Sequence, residues 1–310
     1  MRISSVAVET PLVRLYVEDA PAEIWLKLES LQPIGSFKLR GAANAILSAP
    51  RAELANGVVT TSTGNMAQGV AWMARELGVQ ATIVVPDNAS QSKLAAVERM
   101  GGRIVRVPWD AWWAAVEAGS PKEAAEDIEG FFVHPVRDEA VMAGNGTIGL
   151  ELVEQLEDFD TVLIPWGGGG LTTGVASALR SVAPRAKVFV CEPESGAPVK
   201  AAIDGDGVPA VVPFTPSFVD GAGSGSLLPE MWRRAQPLVS GSFVVSLEDT
   251  AATVRLLLER ERIVAEGAAA LPVAAALAGE AGEGRVVCIV SGGNIDPSRL
   301  AEIIAGKVPD

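Results

Sequence analysis

Three times in this chain a β-branched run breaks off in a loop of small residues that opens straight into a stretch of helical period: VVTTSTGN, VLIPWGGGG and VVCIVSGGN. No other feature constrains the fold as much. Open α/β sheets end their strands in such loops, and ligands bind there, beyond the carboxyl ends of the strands and against helix amino termini. The alternation runs along the chain. It predicts strands at Val58–Thr61, Thr82–Val85, Arg103–Val107, Thr161–Ile164, Lys187–Cys191, Phe243–Val245 and Arg285–Val290, with helices beginning after Gly64, Ser90, Val141, Gly170, Leu247, Glu266 and Pro297. Strands alternating with helices give a sheet flanked by helices, the α/β class.

A chain of 310 residues accommodates one or two such domains. With 48% hydrophobic and 20% charged residues it has the composition of an ordered protein. Lys and Arg total 25 against 38 Asp and Glu, a net charge of −13, and no basic cluster stands out, which argues against a nucleic-acid partner. The start, Met1 to Ser5, has no apolar signal stretch, and no apolar run approaches the roughly 18 residues of a membrane span. A cytoplasmic protein with no membrane contact is expected. Cys191 and Cys288 each sit in an apolar run, KVFVCE and RVVCIV, without metal-ligand spacing, so both are expected to be reduced, buried packing residues. The stretch Glu194–Leu228 is rich in Gly, Pro and Ser and predicts a long irregular connection. There is no internal repeat, and with the last predicted helix beginning after Pro297 no regulatory extension is expected.

Five segments carry residues suited to chemistry. In KLESLQPIGSFKLRGA, Lys38 is flanked by Ser36, Phe37 and Arg40 just before an expected helix over Ala42–Leu47. A lone lysine in that place is ordinarily a solvated surface residue. Gly167, Gly168, Gly169 and Gly170 lie between strand and helix, where Cβ-free backbone can wrap an anion with successive N–H groups. No Gly-Lys-Ser/Thr follows, so this is not a nucleotide P-loop. Ser62, Thr63, Gly64 and Asn65 suit a helix cap as well as a ligand site, and Ser291, Gly292, Gly293 and Asn294 form a turn after the last strand. Glu266, in VAEGAAAL, opens a helix, where a carboxylate complements the dipole. His134 is the chain's one histidine and precedes a proline, so it reads as structural, and a Ser/His/Asp hydrolase is hard to build here.

Taken together, the lysine segment, STGNMAQGVA, HPVRDEAVMAGNGTIGLE, IPWGGGGLTTGVA, CEPE, VAEGAAAL and VSGGN resemble, in order and over nearly the whole chain, the fold-type II pyridoxal-phosphate (PLP) enzymes, specifically the threonine/serine dehydratase (threonine ammonia-lyase) family. The resemblance implies a tryptophan synthase β-like fold. Its two open twisted-sheet α/β domains are a large one from residues 1–55 and 138–310 and a small mobile one from 56–137, with the cofactor in the cleft. It implies that Lys38 carries PLP covalently and serves as the base at Cα. Gly167 to Gly170 with Leu171 would hold the phosphate, and Phe37 and Glu266 would lie close to the cofactor. Asn65 would meet the ring hydroxyl, and Ser291 the pyridine nitrogen. The backbone of Ser62, Thr63, Gly64, Asn65 and Met66, with Gln68, would take the substrate carboxylate. A hydroxyl at the pyridine nitrogen does not hold it protonated, which favours β-elimination over transamination.

The implied reaction removes water and then ammonia from threonine, serine or a related β-hydroxy amino acid, leaving a 2-oxo acid; a homodimer is the expected assembly. Rival readings are a cysteine-synthase-like β-replacement transferase, an amino-acid racemase using Thr63 where serine racemases have serine, and a PLP-binding protein without turnover. The chain departs from the family at Met66, where histidine is common. It departs again at Pro198, where metal-dependent members carry an aspartate to accompany Glu192 and the Gly196 carbonyl, so no metal is expected. Arg137 is a surface residue or, facing the site, a fork for a second carboxylate as in hydroxyaspartate.

Overall fold

A computed structural model describes residues 2–89 and 91–310. In chain order the elements are β1 (Leu12–Arg14), β2 (Glu23–Leu28), α1 (Lys38–Ser48), β3 (Val58–Thr60), α2 (Asn65–Leu77), β4 (Ala81–Pro86), α3 (Gln91–Arg99), β5 (Arg103–Val107), α4 (Trp109–Ala118), β6 (Phe131–Phe132), α5 (Glu139–Gln155), β7 (Thr161–Pro165), α6 (Gly170–Val182), β8 (Lys187–Pro193), α7 (Pro198–Asp204), α8 (Pro229–Ala235), β9 (Gly241–Val245), α9 (Leu247–Leu256), α10 (Gly267–Leu277), β10 (Arg285–Val290) and α11 (Pro297–Ile304). They form two compact units, one of Met1–Val8 and Gln32–Asn145, the other of Glu9–Leu31 and Gly146–Asp310. Compactness thus groups residues 32–55 and 138–145 with the smaller sheet, where the family resemblance draws the boundaries at 55/56 and 137/138.

In the first unit four parallel strands are ordered β5-β4-β3-β6. The near-continuous apolar runs of the central strands β3 and β4 follow from burial on both faces. Val58, Ile83 and Val85 pack with Ile46, Met66, Val70 and Met73 on one side, while Val59, Val84 and Val107 pack with Ile128 and the half-buried Trp112 on the other. α1 begins at Lys38, four residues before the expected Ala42, so Lys38 is the first residue of the helix. No side chain caps it, and the helix is instead set by what crosses it. A Cβ on Gly41 would lie 2.7 Å from the Val141 side chain, and one on Gly144 would lie 2.3 Å from the Arg40 carbonyl. α5 likewise begins earlier than expected, because the Asp138 carboxylate accepts the Ala140 and Val141 N–H groups as its cap. The helix expected after Ser90 is α3; Ser90 itself lies outside the described residues.

In the second unit the order is β1-β2-β10-β7-β8-β9, all parallel save β1, which runs antiparallel to β2. α10 is buried at ten of its eleven residues, Gly267 through Ala276, as a helix apolar on every face must be. β7 and β10 are neighbours and parallel at the centre of the sheet, so the loops that follow them, with Gly167 to Gly170 and Ser291, emerge side by side at the carboxyl ends of the strands. The sequence pattern does not predict β1, β2, β6 and α4, and α7 interrupts the stretch expected to be irregular. β2, EIWLKL, hides its nature behind Lys27. This lysine is fully buried and bonded to the Glu151 carboxylate, the Thr10 carbonyl at 2.7 Å and Gln155 Oε1 at 2.9 Å, so a charge that reads as surface lies in the interior.

Candidate active site

Lys38 is half-buried at the start of α1. Its Nζ donates to the Pro135 carbonyl at 3.0 Å and lies 5.2 Å from the centre of the Phe37 ring. Neighbouring Ser36 is wholly buried, and its hydroxyl has no hydrogen-bond partner. α2 comes close to this point. A Cβ on Gly69 would sit 3.3 Å from the Lys38 carbonyl and 3.1 Å from the Ala42 side chain, so glycine there lets the second helix seat against the lysine's own turn.

The Ser62–Asn65 loop leads from β3 into α2, whose N-cap is Gly64, with no side chain capping the helix. Ser62 Oγ accepts the Gly64 N–H at 3.3 Å, and the Gln68 N–H closes the first turn of α2 on the Gly64 carbonyl at 3.3 Å. A helix amino terminus of this kind can receive an anion. Thr63 and Asn65 are half-buried beside it, and Gln68 is buried on the first turn. The Met66 side chain is only 1% exposed, in the apolar core with Leu39 and Val70, so this residue offers the loop its backbone alone. Sequence reasoning missed Trp112, whose Nε1 donates to the Thr61 carbonyl at 3.0 Å and so ties α4 to the entrance of the loop.

In the second unit Gly167 to Gly170 lead from β7 into α6. Gly169 has a φ of +87°, and a Cβ there would meet the Trp166 ring at 2.7 Å. A Cβ on Gly167 would come 2.9 Å from the Gly221 carbonyl, so neither position admits a side chain. Leu171 is buried in the first turn. Glu266 is buried, donates its backbone N–H to the Gly292 carbonyl at 3.0 Å and stands at the N-cap position of α10 without a side-chain cap bond. Gly221 lies against its carboxylate, since a Cβ on Gly221 would sit 3.4 Å from Glu266 Oε1. Ser291 is 2% exposed at the end of β10. The glycine turn, Glu266 and the Ser291 loop are thus joined through Gly221, a residue inside the stretch that reads as featureless in sequence.

These residues fit PLP. A phosphate needs N–H donors and hydroxyls at a helix amino terminus, and α6 offers its glycine turn together with the buried hydroxyls of Thr172 and Thr173, neither of which has a partner among the described residues. An aldehyde needs an amine, which Lys38 presents one turn from a second helix start.

The remaining candidates are structural. Glu192 is wholly buried, and its carboxylate accepts the Val199 and Lys200 N–H groups, each at 2.8 Å, and the Ser242 hydroxyl at 2.7 Å. Burial nevertheless pushes its pKa up, outweighing those donors. With Pro198 opening α7, this carboxylate is spent on a helix start. Cys191 and Cys288 are free and buried, and burial raises both thiols well above their ordinary range. Arg137 donates through Nη1 to the Glu117 carbonyl at the carboxyl end of α4, a place where the helix dipole favours a cation.

An α/β sheet protein with a glycine anion turn on one strand end and a lysine-headed helix beside a second anion site defines the class: an enzyme that takes a phosphorylated aldehyde cofactor. Residues 3–292 match the model of the pyridoxal-phosphate dependent enzyme family, and the chain belongs to that family. It is 40% identical over 286 residues to an L-threonine ammonia-lyase of Thermotoga maritima, covering 91% of this chain and 70% of that one. The structure of the processed form of threonine deaminase isoform 2 from Solanum lycopersicum is similar, with a TM-score of 0.85 and 31% identity over 98% of this chain and 89% of that one. So is maize serine racemase, with a TM-score of 0.87 and 28% identity over 98% and 94%.

Proposed function

We infer that this chain is a PLP-dependent ammonia-lyase of the threonine dehydratase type. The observation that carries the reading is that one chain holds both Lys38, heading α1 behind Ser-Phe in the first unit, and, in the second, the Gly167–Gly170 turn with two buried hydroxyls that have no partner among the described residues. Lys38 holds the cofactor, and Gly167 to Gly170 with Leu171 bind its phosphate. Phe37 and Glu266 flank it, Asn65 meets its ring hydroxyl, and Ser291 its ring nitrogen. The α2 amino terminus, with Ser62, Thr63, Gly64, Met66 and Gln68, receives the substrate carboxylate.

When bound, PLP acts as the electron sink for the Cα–H bond. The protein supplies the rest. The N–H groups of α2 orient the substrate carboxylate, and the Lys38 amine, neutral once released, takes the Cα proton. Ser291 would meet the ring nitrogen with a neutral hydroxyl, an environment that would favour elimination of the β-hydroxyl over transamination. Loss of water leaves an enamine that rearranges and hydrolyses in solvent to a 2-oxo acid and ammonia. Serine is a substrate alongside threonine in this reading, and the protein works as a cytoplasmic homodimer without nucleic acid. No helix among the described residues is long and apolar enough to cross a membrane.

The deciding experiment assays 2-oxo acid and ammonia from threonine, serine, hydroxyaspartate and O-acetylserine. 2-Oxobutyrate from threonine or pyruvate from serine supports the lyase. Sulfide-dependent consumption of O-acetylserine without oxo acid would replace it with a transferase. The likeness to a serine racemase favours a second, minor activity through the Thr63 hydroxyl, and D-serine formed from L-serine and lost in Thr63→Ala is its signature.

A further inference from the structure

His134 is a buried titratable group that no step above uses, yet it sits one residue from the acceptor of Lys38. We propose that His134 is a positioning residue, holding the His134–Arg137 turn so that the Pro135 carbonyl receives the Lys38 amine whenever that amine is not joined to the cofactor. The proposal rests on the reading that Lys38 carries PLP.

Three hydrogen bonds define its role. His134 Nδ1 accepts the Val136 N–H at 3.1 Å and the Arg137 N–H at 2.9 Å, while Nε2 faces the Val116 carbonyl at 3.2 Å. A carbonyl only accepts, so Nε2 bears the proton and Nδ1 is bare; the neutral Nε2–H tautomer satisfies all three contacts at once. The Arg137 guanidinium adds a second tie, to the Glu117 carbonyl. The turn is thereby fastened to the end of α4 by two side chains, and the strand before it is held in the sheet by the Val133 N–H on the Val59 carbonyl at 2.8 Å. Between these anchors, Pro135 has no N–H, and its carbonyl points at Lys38 Nζ.

The arrangement meets a need of the chemistry. A lysine head on four methylenes loses its aim when released. An amine that donates one N–H to a rigid carbonyl keeps its position and leaves its lone pair for the Cα proton, and misplacement of a reacting group by about 1 Å costs on the order of a hundredfold in rate.

The test compares His134→Asn with His134→Gln. The Asn oxygen replaces the Nδ1 acceptor, as in an Asx turn, whereas the Gln amide reaches Val116 but leaves the Val136 and Arg137 N–H groups unmet. Two quantities are measured: the rate at which the imine absorbance grows when PLP is added to apoenzyme, and kcat and KM for the substrate that the wild type turns over fastest. We expect His134→Asn to stay within about twofold of wild type, and His134→Gln to form the imine about tenfold more slowly with a similar fall in kcat and an unchanged KM. Equal rates in all three proteins, or an equal loss in both variants, overturns the proposal. If His134→Gln does not fold, as read by circular dichroism, His134→Leu, which also lacks the acceptor, replaces it: imine formation slower than in His134→Asn supports the proposal and a wild-type rate overturns it. A wild-type protein whose absorbance matches that of Lys38→Ala overturns the cofactor reading itself, a failure distinct from either of these.

Discussion

Two buried carboxylates of this chain stand in different places. Glu266 precedes α10, whereas Glu192 lies near the end of β8 and its carboxylate is consumed by two N–H groups of α7 and by Ser242. Its pKa is raised by burial, so the folded state binds a proton more readily than the unfolded one. The stability it contributes is present below the ordinary carboxylate value and lost as pH rises through the raised one. Denaturant titrations across that window will show wild type losing stability with pH while Glu192→Gln lacks the slope and is less stable by about 1–3 kcal/mol, one N–H being left facing an NH₂; an identical slope in both contradicts the assignment. Lys27 gives a second case. Removing one partner of a buried pair strands the other charge, so Lys27→Met is expected to cost about 3–5 kcal/mol in urea unfolding and Lys27→Met with Glu151→Leu markedly less. Lys38 and the glycine turn stand out in the sequence as candidates because the proposed chemistry needs particular residue types at particular spacings. Glu192 does not, because whether a carboxylate is a ligand or a cap depends on which backbone N–H groups the fold brings to it.

At the scale of elements, the central strands of both sheets were legible because burial on both faces leaves an unbroken apolar run. The missed elements each lack that signal: β6 has only two residues, β2 carries a lysine neutralised by a residue more than a hundred positions away, and α4 places two exposed tryptophans, Trp109 and Trp113, on its surface. Helix starts shifted where the deciding contact was tertiary. α1 begins at Lys38 because α5 and α2 pack against glycines on or facing it, and this crossing holds the lysine. Gly144→Ala drives a methyl into the Arg40 carbonyl, where a Cβ would lie 2.3 Å away, and is expected to destabilise by about 1–3 kcal/mol as overpacking does. Thermal unfolding measures this, and a variant as stable as wild type would show that the crossing yields more easily than its geometry implies.

For the whole molecule, a net charge of −13 is compatible with the proposed binding of a small zwitterionic substrate. A ligand that binds only the folded state stabilises it by about 2.7 kcal/mol at a hundredfold excess over its Kd. PLP is therefore expected to raise the denaturation midpoint of wild type, and to raise that of Lys38→Ala less, since the covalent share of binding is gone. The fold class and the cofactor were readable because several motifs stand in register along the chain. The ties of α4 to Thr61 and to the His134 turn were not, because they run through backbone carbonyls, which every residue has and no sequence pattern marks. The central claim is that Lys38 bears the cofactor. Borohydride reduction of the PLP-loaded protein, followed by peptide mapping by mass spectrometry, tests it most directly. The account predicts one phosphopyridoxyl group, on the peptide containing Ser36-Phe37-Lys38; a label on another lysine, or none in a protein that has taken up PLP, would contradict it.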